Sequence, residues 1–455
     1  MKTIFARKAY LEGVWEQNIR LHIDNGLITS IDRNTAYCNG DTMTSIVVPG
    51  ICNAHSHAFQ RALSGHVEYR SVSDKKDDFW TWRESMYRLT SKLDAKSLAD
   101  IATQAYVEMV ASGYTSVIEF HYLHCKKDND DMSIAMFEAL LKAANDSGIR
   151  LIYVPILYER AGFKDEKLSV HQQRFSLSLS QFFDHYNFVK KNISWPHSLG
   201  IGAHSLRAVT HESLREIEEI SHKDQIPLHI HVAEQELEVK ECIDVYNTTP
   251  VNWLLDNFDI NRQWCFIHAI HMNSKELTKL AKSGATVCLC PSTEANLGDG
   301  LFSLQSYLEK GGHIAIGSDS NISINPFEEL RWLEYGQRLF SRKRNIATKL
   351  NHGSGNTLFD YTSLGGSLAS GNNLIGRLGE GSVADLIVMD DASPMFSGHH
   401  TDTLFDALIF SGVNLPIQNV MVNGEWHVTD GKHSVFDLAR HNYAKQVTHL
   451  FNSVN

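Results

Sequence analysis

The stretch NSKELTKLAKSG-ATVCLCP (273–291) joins an amphipathic helix pattern to a short apolar run, and SLQSYLEKGG-HIAIGSD (303–319) repeats this order. In both stretches apolar residues recur at helical spacing, glycine ends the predicted helix, and a strand-like run follows. The same order occurs earlier in the chain, in residues 94–122 and 133–157. Strands that alternate with helices in this way predict a parallel sheet.

Eight strand-like runs of this kind lie between about residues 46 and 318. They are SIVVPGI, TSVIEFHY, IRLIYVPIL, LGIGAHS, IPLHIHV, WCFIHA, ATVCLCP and HIAIGSD. Eight strands with intervening helices predict an α/β fold of the (β/α)8 TIM barrel type. An open doubly wound sheet is the alternative, but no G-x-G-x-x-G motif follows the first strand to favour it.

The two ends of the chain show short strands and turns instead. Residues 1–48 and 376–430 both have this character, and the second stretch contains an Asn-Gly turn. We expect the two flanks to pair into one small β-sandwich domain. The predicted domains are therefore 1–48 with 370–455 for the small β domain, and 49–369 for the catalytic barrel.

The composition limits the class of protein. The 455 residues are 43% apolar and 21% charged, which excludes a disordered, collagen-like or coiled-coil chain. The net charge of −11 argues against nucleic acid and anionic membranes as partners. No run of 18 apolar residues and no signal-peptide core occur, and the seven cysteines form no C-x-x-C pair. These features predict a cytoplasmic protein with reduced thiols.

The histidines, of which the chain has 24, are concentrated where predicted strands end. His55 and His57 follow the first strand, and side chains two residues apart in an extended segment point the same way. Other strand ends carry His204, His231, His268 and Asp319. Because catalytic groups of a barrel collect at the carboxyl ends of its strands, these residues predict one shared site.

Two or three histidines with an aspartate and an open position are typical of a catalytic metal site. Nitrogen and oxygen ligands favour zinc, while iron and manganese stay open as alternatives. The strand-4 segment LGIGAHSLR has no lysine to bridge two ions, which favours one divalent metal ion. Of the pair His229 and His231, we expect His231 to be the ligand, because it lies nearer the strand end and precedes Glu234 by three residues.

Several stretches resemble the amidohydrolase superfamily and, within it, the formimidoylglutamate deiminase family. They are HSHAFQRALSG (55–65), FWTWRESMYR (79–88), EFHYLH (119–124), HSLRAVT (204–210), HVAEQ (231–235), CPSTEANLGDG (290–300) and GSDSNISINPFEELRWLEYGQRL (317–339). The H-x-H, HVAE and SD motifs are common to many aminohydrolases, whereas FWTWRE, HAFQRA and EELRWLEYGQRL are more specific. One departure is Ala54, where the family pattern has a larger apolar residue, and this changes packing but no ligand.

The resemblance covers nearly the whole chain and implies a distorted (β/α)8 barrel with a small β domain, working as a homodimer. It implies four metal ligands, which are His55, His57, His231 and Asp319. The implied catalytic groups are Glu234, His268 and Asp319. The implied substrate-binding residues are Gln60, Arg83, Tyr122, His204 and Arg207.

The implied reaction is the hydrolytic deimination of N-formimidoyl-L-glutamate to N-formyl-L-glutamate and ammonia, a step of histidine degradation. Asp319 would take a proton from water, Glu234 would deliver one to the imino nitrogen, and His268 would stabilise the developing oxygen charge. The substrate has two carboxylates, and arginines bind carboxylates as bidentate forks. Arg83 and Arg207 are therefore expected to hold the glutamate part.

Three alternatives stay open at this stage. The same substrate could be cleaved at its other C–N bond, with release of formamide and glutamate. The chain could be another aminohydrolase, acting on a nucleobase, a triazine or a different amidine. It could also be a binding protein on the same fold, although such proteins usually lose ligands that are present here.

Overall fold

The structure is a computed structural model that describes residues 1–69, 77–125, 131–349, 352–412 and 414–452. The strands are β1 (Lys2–Leu11), β2 (Val14–Asp24), β3 (Leu27–Asp32), β4 (Thr42–Pro49), β5 (Ile51–Ser56), β6 (Tyr114–His121), β7 (Arg150–Leu157), β8 (Ser198–Leu199), β9 (Ile201–Ser205), β10 (Leu228–Val232), β11 (Trp264–His268), β12 (Thr286–Leu289), β13 (His313–Ile316), β14 (Leu386–Met389), β15 (Ile417–Val422), β16 (Glu425–Thr429) and β17 (Lys432–His433).

The α-helices are α1 (Phe79–Thr90), α2 (Ala95–Ser112), α3 (Ser133–Ser147), α4 (Leu179–Asn192), α5 (His211–Asp224), α6 (Glu236–Tyr246), α7 (Pro250–Asn257), α8 (Ser274–Ser283), α9 (Pro291–Leu297), α10 (Leu304–Glu309), α11 (Pro326–Ser341), α12 (Ser354–Ser370), α13 (Leu404–Phe410) and α14 (Phe436–Asn452). Short 3-10 helices span Ala58–Leu63, Gln172–Phe175, Pro394–Phe396 and Thr401–Thr403. In the part of the chain that these ranges cover, no helix combines the length and apolarity needed to cross a membrane.

The barrel consists of β5, β6, β7 and β9 to β13, which pair in parallel in this order, with the short β8 beside β7. Its first and last strands meet through a parallel bridge between Ser56 and Asp319. At this seam the amide of His57 donates to the carbonyl oxygen of Asp319 at 3.0 Å, and the amide of Asp319 donates to that of His55 at 2.9 Å. The predicted fold class is confirmed.

The prediction of the first barrel strand was partly wrong. Residues 45–49 of the run SIVVPGI belong to β4 in the second sheet, and the barrel strand β5 begins only at Ile51. The chain passes from one sheet to the other at Gly50, where a Cβ atom would collide with the side chain of Thr115. Because both strands are buried at this crossing, their apolar residues form one continuous run.

The flanks form a single sheet with the order β17-β16-β15-β14-β4-β1-β2-β3. Its central strand β4 runs parallel to β1 and antiparallel to β14, so it joins the N-terminal flank to the C-terminal one. Ile46 and Val48 pack into the main core, while Val47 points into a second, smaller core. The domain boundaries at 48/49 and 369/370 stay a prediction.

A buried ion pair joins the barrel to the flank sheet. Arg150 at the start of β7 donates from Nη2 to Oδ1 of Asp385, just before β14, at 2.9 Å, and both side chains are buried. Asp385 also accepts the amide of Asn423 at 2.7 Å, and its carbonyl oxygen accepts the amide of Gly50 at 2.9 Å. This pair fixes the crossing point between the two sheets.

Candidate active site

The predicted metal ligands converge at the carboxyl ends of the barrel strands. Asp319 Oδ1 lies 3.3 Å from His57 Nε2 and 3.4 Å from His55 Nε2. His231 Nε2 lies 3.0 Å from His55 Nε2. All four side chains are buried, so they form one compact cluster of nitrogen and oxygen donors.

Two of these imidazoles are oriented by backbone carbonyls. His57 Nδ1 donates to the carbonyl oxygen of Phe120 at 2.8 Å, and His231 Nδ1 donates to that of His204 at 3.0 Å. A proton held on Nδ1 leaves the lone pair on Nε2, and this lone pair faces the cluster. Sequence reasoning did not find these partners, because they are backbone atoms of neighbouring strands.

The cluster fits a divalent metal ion. Tetrahedral ligands at the 2.0–2.1 Å typical of zinc lie about 3.3 Å from one another, and three separations between donor atoms of this cluster are 3.0, 3.3 and 3.4 Å. In the tautomer with its proton on Nδ1, His231 has a lone pair on Nε2, and this atom lies 3.0 Å from Nε2 of His55. Imidazole and carboxylate donors of this kind are those of catalytic zinc sites.

Three strand ends turn sharply to aim side chains into the site. Ala233, His268 and Asp319 have φ values of +50°, +71° and +44°, a region that residues with a side chain rarely adopt. Glu238 supports the first turn, because its carboxylate accepts the amides of Ala233 at 3.1 Å and Glu234 at 3.3 Å. Two of these three residues, His268 and Asp319, carry the predicted chemistry, and the third directly precedes Glu234.

A buried network supports the turn after β13. Asn53 accepts the amide of Ser318 at 3.0 Å, and the Ser318 hydroxyl donates to the side chain of Asn321 at 2.6 Å. Asn321 Nδ2 donates to the carbonyl oxygen of His57 at 3.1 Å. The network therefore holds Asp319, which lies between Ser318 and Asn321, against His55 on β5 and His57 just after it.

The predicted proton-transfer groups lie beside this cluster. His268 Nε2 lies 3.7 Å from Glu234 Oε1 and 3.8 Å from Asp319 Oδ2. Burial raises the pKa of Glu234 to about 7, although the neighbouring His268 acts to lower it. Burial also acts to raise the pKa of Asp319, but the hydrogen bond and charges of the histidines hold it well below its usual range. The two carboxyl groups are therefore suited to different protonation states.

Glu294 is a site residue that sequence reasoning missed. Its Oε1 accepts from His268 Nδ1 at 3.2 Å and from the amide of Cys290 at 2.9 Å. The residue lies within the CPSTEANLGDG stretch, in the first turn of α9 after β12. A carboxylate just after a barrel strand was the available signal.

A cavity of about 440 Å³ opens onto the cluster. All five predicted substrate-binding residues line it, namely Gln60, Arg83, Tyr122, His204 and Arg207. Gln60 donates to the hydroxyl of Tyr122 at 3.0 Å, and the ring of His204 lies 5.3 Å from that of Tyr122. Tyr158 and Trp80, which were not singled out from the sequence, complete the wall.

Two arginines give this cavity a cationic side. The Arg83 guanidinium stacks 4.4 Å from the ring centroid of Trp80, and that of Arg207 lies 5.9 Å from the same ring. Within the described ranges, neither guanidinium has a carboxylate within 4 Å, and the Nε atom of each is buried without a hydrogen-bond partner. This arrangement can bind an anion.

The remaining histidines lie outside the cavity. His229 is buried one layer deeper, where its Nε2 donates to the carbonyl oxygen of Ala369 at 2.9 Å, as predicted for a core residue. His271 lies in the loop after β11. His121 and His124 are buried behind the β6 end and also bond to backbone carbonyls.

The comparison with known families agrees with the barrel fold. The model of the amidohydrolase family matches residues 46–427 of the chain. The chain belongs to the amidohydrolase family.

Curated proteins with related sequences include a deiminase and several deaminases. A formimidoylglutamate deiminase of Pseudomonas aeruginosa is 40% identical over 441 residues, which cover 95% of this chain and 96% of that protein. A 5-methylthioadenosine/S-adenosylhomocysteine deaminase of Halobacterium salinarum is 25% identical over 407 residues, 88% of this chain and 85% of that one.

Solved amidohydrolase structures share the whole architecture. An amidohydrolase from Brucella melitensis superposes with a TM-score of 0.93 at 36% identity and covers 99% of this chain and all of its own. An atrazine chlorohydrolase of Arthrobacter aurescens, crystallised with zinc, gives a TM-score of 0.85 at 18% identity, over 99% of this chain and 100% of that one. The second likeness concerns the fold alone.

Proposed function

We propose that this amidohydrolase hydrolyses N-formimidoyl-L-glutamate to N-formyl-L-glutamate and ammonia. The observation that carries the proposal is the pair Arg83 and Arg207, which lie in one cavity with the metal-ligand cluster. The substrate has an amidine at one end and two carboxylates at the other, so it matches both sides of this cavity. The full-length similarity to a formimidoylglutamate deiminase supports the same substrate.

We propose one divalent ion, Zn²⁺, held by His55, His57, His231 and Asp319. When bound, the ion lowers the pKa of a water molecule to about 7 and so supplies the nucleophile at neutral pH. Asp319 would accept a proton from the attacking water, and His268 would stabilise the charge that develops on oxygen. Glu234, whose pKa burial raises to about 7, would donate a proton to the imino nitrogen as the C–O bond forms. The proton held by Asp319 would then pass to the same nitrogen, and the new hydroxyl group would return a proton to Glu234, so that the C–N bond breaks and ammonia leaves.

The glutamate part is held at the opposite side of the cavity. Each guanidinium forms a bidentate pair with one substrate carboxylate, and these bonds are strong because both partners are charged. Trp80 supports the guanidinium of Arg83 by stacking on it at 4.4 Å. Gln60, Tyr122 and His204, which line the same cavity, orient the amidine.

The test is release of ammonia from N-formimidoyl-L-glutamate by the purified, zinc-loaded protein, with analysis of both products. We expect N-formyl-L-glutamate, and formamide with glutamate would assign cleavage to the other C–N bond. Arg83→Met is expected to raise KM at least tenfold, whereas Arg88→Met, an exposed residue on the same helix, is not. No ammonia release, together with turnover of a nucleobase or triazine, would contradict the proposal.

We further propose that the protein is a cytoplasmic homodimer. Its binding partner is the small-molecule substrate, and we expect it to bind neither nucleic acid nor a membrane. All seven cysteines are free, and six of them are buried, as suits a reducing compartment.

A further inference from the structure

Arg61, in the HAFQRA stretch, has no part in the proposed chemistry, yet its side chain crosses the seam of the barrel. It lies in the 3-10 helix after the first barrel strand, four positions after the proposed ligand His57. Its Nη1 atom donates to the carbonyl oxygens of Asn321 at 2.7 Å and of Ile322 at 3.0 Å. Both carbonyl groups follow the last barrel strand, two and three positions after the proposed ligand Asp319. One side chain therefore connects the two segments that carry three of the four proposed metal ligands.

A second set of contacts fixes the guanidinium of Arg61 from the side of α2. Its Nε atom forms an ion pair with Oε2 of Glu108 at 2.8 Å. Gln104, one turn earlier on α2, donates from Nε2 to the other oxygen of this carboxylate at 2.7 Å. Because a guanidinium is planar and has donors on several edges, it can hold a carboxylate and two carbonyl groups at once. A lysine has a single charged nitrogen and cannot make both sets of contacts in the same geometry.

The segment after β13 depends on such contacts. Asp319 and Asn321 have φ values of +44° and +57°, a region that is unfavourable for residues with a side chain, although less so for asparagine. The side chain of Asn321 donates to the carbonyl oxygen of His57 at 3.1 Å, while its own carbonyl oxygen accepts from Arg61. The hydroxyl of Ser64 also donates to the carbonyl oxygen of Ile322, at 3.2 Å. The turn that aims Asp319 at the histidines is thus held by its own side chains and by the 3-10 helix of Arg61.

The C-terminal helix α14 contacts the same arginine. Tyr443 donates from its hydroxyl group to the carbonyl oxygen of Arg61 at 3.1 Å. Gln446, three positions later on α14, donates to Oδ2 of Asp100 on α2 at 2.9 Å. Helix α14 follows the last strand of the flank sheet. The C-terminal flank therefore contacts the barrel close to the proposed metal ligands.

We propose that Arg61 is a positioning residue for the proposed metal site and that Tyr443 of α14 supports it. Arg61 does not line the cavity at the metal-ligand cluster, so it acts through Asp319 and not on the substrate. It holds the segment after β13, and with it the carboxylate of Asp319, at the distance from the histidines that the ion requires. The inference rests on the proposed metal site and extends it to a residue outside the ligand set.

The first test is the zinc dissociation constant of the purified protein, measured by competition with a chelator. Arg61→Met keeps an apolar stem but removes every donor, and we expect the constant to rise about 10–100-fold, as for other groups that orient metal ligands. KM for N-formimidoyl-L-glutamate at saturating zinc should stay unchanged, because Arg61 is not in the cavity. Arg61→Lys can still donate to the carbonyl oxygens, so its zinc constant should lie between those of the wild type and of Arg61→Met.

Asp385→Asn is the control for a loss of stability alone. It weakens the fold at Arg150, at the start of β7, and leaves the contacts of Arg61 in place, so the zinc constant should not change. An unchanged constant in Arg61→Met, or an equal rise in Asp385→Asn, would overturn the proposal. A wild-type protein that binds no zinc would instead overturn the proposed metal site itself, so the two failures are distinguishable.

The second test concerns the contribution of α14. Tyr443→Phe removes one hydrogen bond to Arg61, and we expect the zinc constant to rise about two- to fivefold. Leu438→Ala, at a 63% exposed position of the same helix, is the control and should leave the constant unchanged. A wild-type constant in Tyr443→Phe would overturn the role assigned to α14.

Discussion

The hydrogen bonds of single histidines determine which ring nitrogen faces the candidate site. His57 and His231 present Nε2 because backbone carbonyls hold their Nδ1 protons. The sequence predicted both residues as metal ligands because imidazoles and a carboxylate at strand ends point to metal chemistry. It did not single out Glu294 or Tyr158, although Glu294 lies in the first turn of the helix after β12 and Tyr158 directly follows β7.

Glu234→Gln tests the proton-transfer role. The amide has the same shape but no exchangeable acid proton, so we expect kcat to fall by at least about 10²-fold. The metal content, measured by atomic absorption, should not change, because Glu234 is not among the proposed ligands. Glu236→Gln, an exposed residue two positions on, is the matched control. A kcat near that of the wild type would remove Glu234 from this role.

Glu294→Gln tests a positioning role through His268. The carboxylate that accepts from His268 Nδ1 would become an amide, which holds the imidazole less firmly. We expect kcat to fall about 10–100-fold, as for other partners of functional histidines, with KM little changed. Steady-state kinetics would separate the two constants, with the exposed Glu309→Gln as the control. A change in KM alone would argue for a role in substrate binding.

Among the elements, the alternation of helices and strands was visible in the sequence because each helix has one apolar face and each strand is an apolar run. The boundary between β4 and β5 at Gly50 was not visible in the sequence, because both strands are buried and their apolar residues form one run. The turns at Ala233, His268 and Asp319 were also hidden, because no glycine marks their positive φ values. Local sequence preferences thus predicted the elements, whereas tertiary contacts determine how their ends turn.

Gly365→Ala tests the packing of α12 on the last barrel strand. A Cβ atom at this position would collide with the backbone carbonyl of Ile314 in β13. We expect the free energy of unfolding to fall by about 1–3 kcal/mol, despite the better helix propensity of alanine. The neighbouring Leu364, which is 51% exposed on the same helix, gives the control Leu364→Ala. Urea unfolding measures the free energy of unfolding of both variants. If Gly365→Ala is as stable as Leu364→Ala, α12 can shift away from β13 without loss of stability.

The whole molecule is a closed barrel joined to a second sheet, and its net charge of −11 says little about its pocket. The sequence predicted the pairing of the flanks, because both showed short strands with turns. It did not predict the link between Arg150 and Asp385, which are 235 positions apart in the chain. Such a pair becomes recognisable only when both sheets are in place.

Asp385→Asn tests this link between the sheets. The change leaves the guanidinium of Arg150 buried without a counter-charge, which costs about 3–5 kcal/mol of stability. Asp391→Asn, which removes the partner of the exposed Arg7, should cost less than about 1 kcal/mol. The difference is measured as a shift in the urea midpoint. Equal shifts for the two variants would contradict the role of the buried pair.

The stability of the molecule should decrease in acid because of buried histidines. Burial lowers the pKa of His124 to about 4 and that of His185 to about 3. Below a pH of about 6.5 the unfolded chain binds protons at these residues while the folded chain does not. The free energy of unfolding therefore falls as the pH drops from 6.5 towards 4.

Urea unfolding at pH 7.5 and pH 5.0 measures this loss. His185→Gln, which keeps a hydrogen-bond partner for Tyr153, should lose less stability between the two pH values than the wild type. His441→Gln on the exposed side of α14 should lose as much as the wild type. An unchanged loss in His185→Gln would exclude this imidazole as a source of the acid sensitivity.

The seam of the barrel gives the proposed ion a role in folding as well as in chemistry. His57 and Asn321, which are bonded across this seam, are 264 positions apart, so its formation carries the entropic cost of a very long loop. One proposed ligand lies on the first strand, a second directly follows that strand, and a third follows the last strand. A barrel with an open seam therefore has an incomplete ligand set. An ion that binds only the closed ring shifts the equilibrium towards closure by mass action. The proposed ion would thus stabilise the closed barrel, and the chain would acquire its full affinity for metal only when its longest-range contacts have formed.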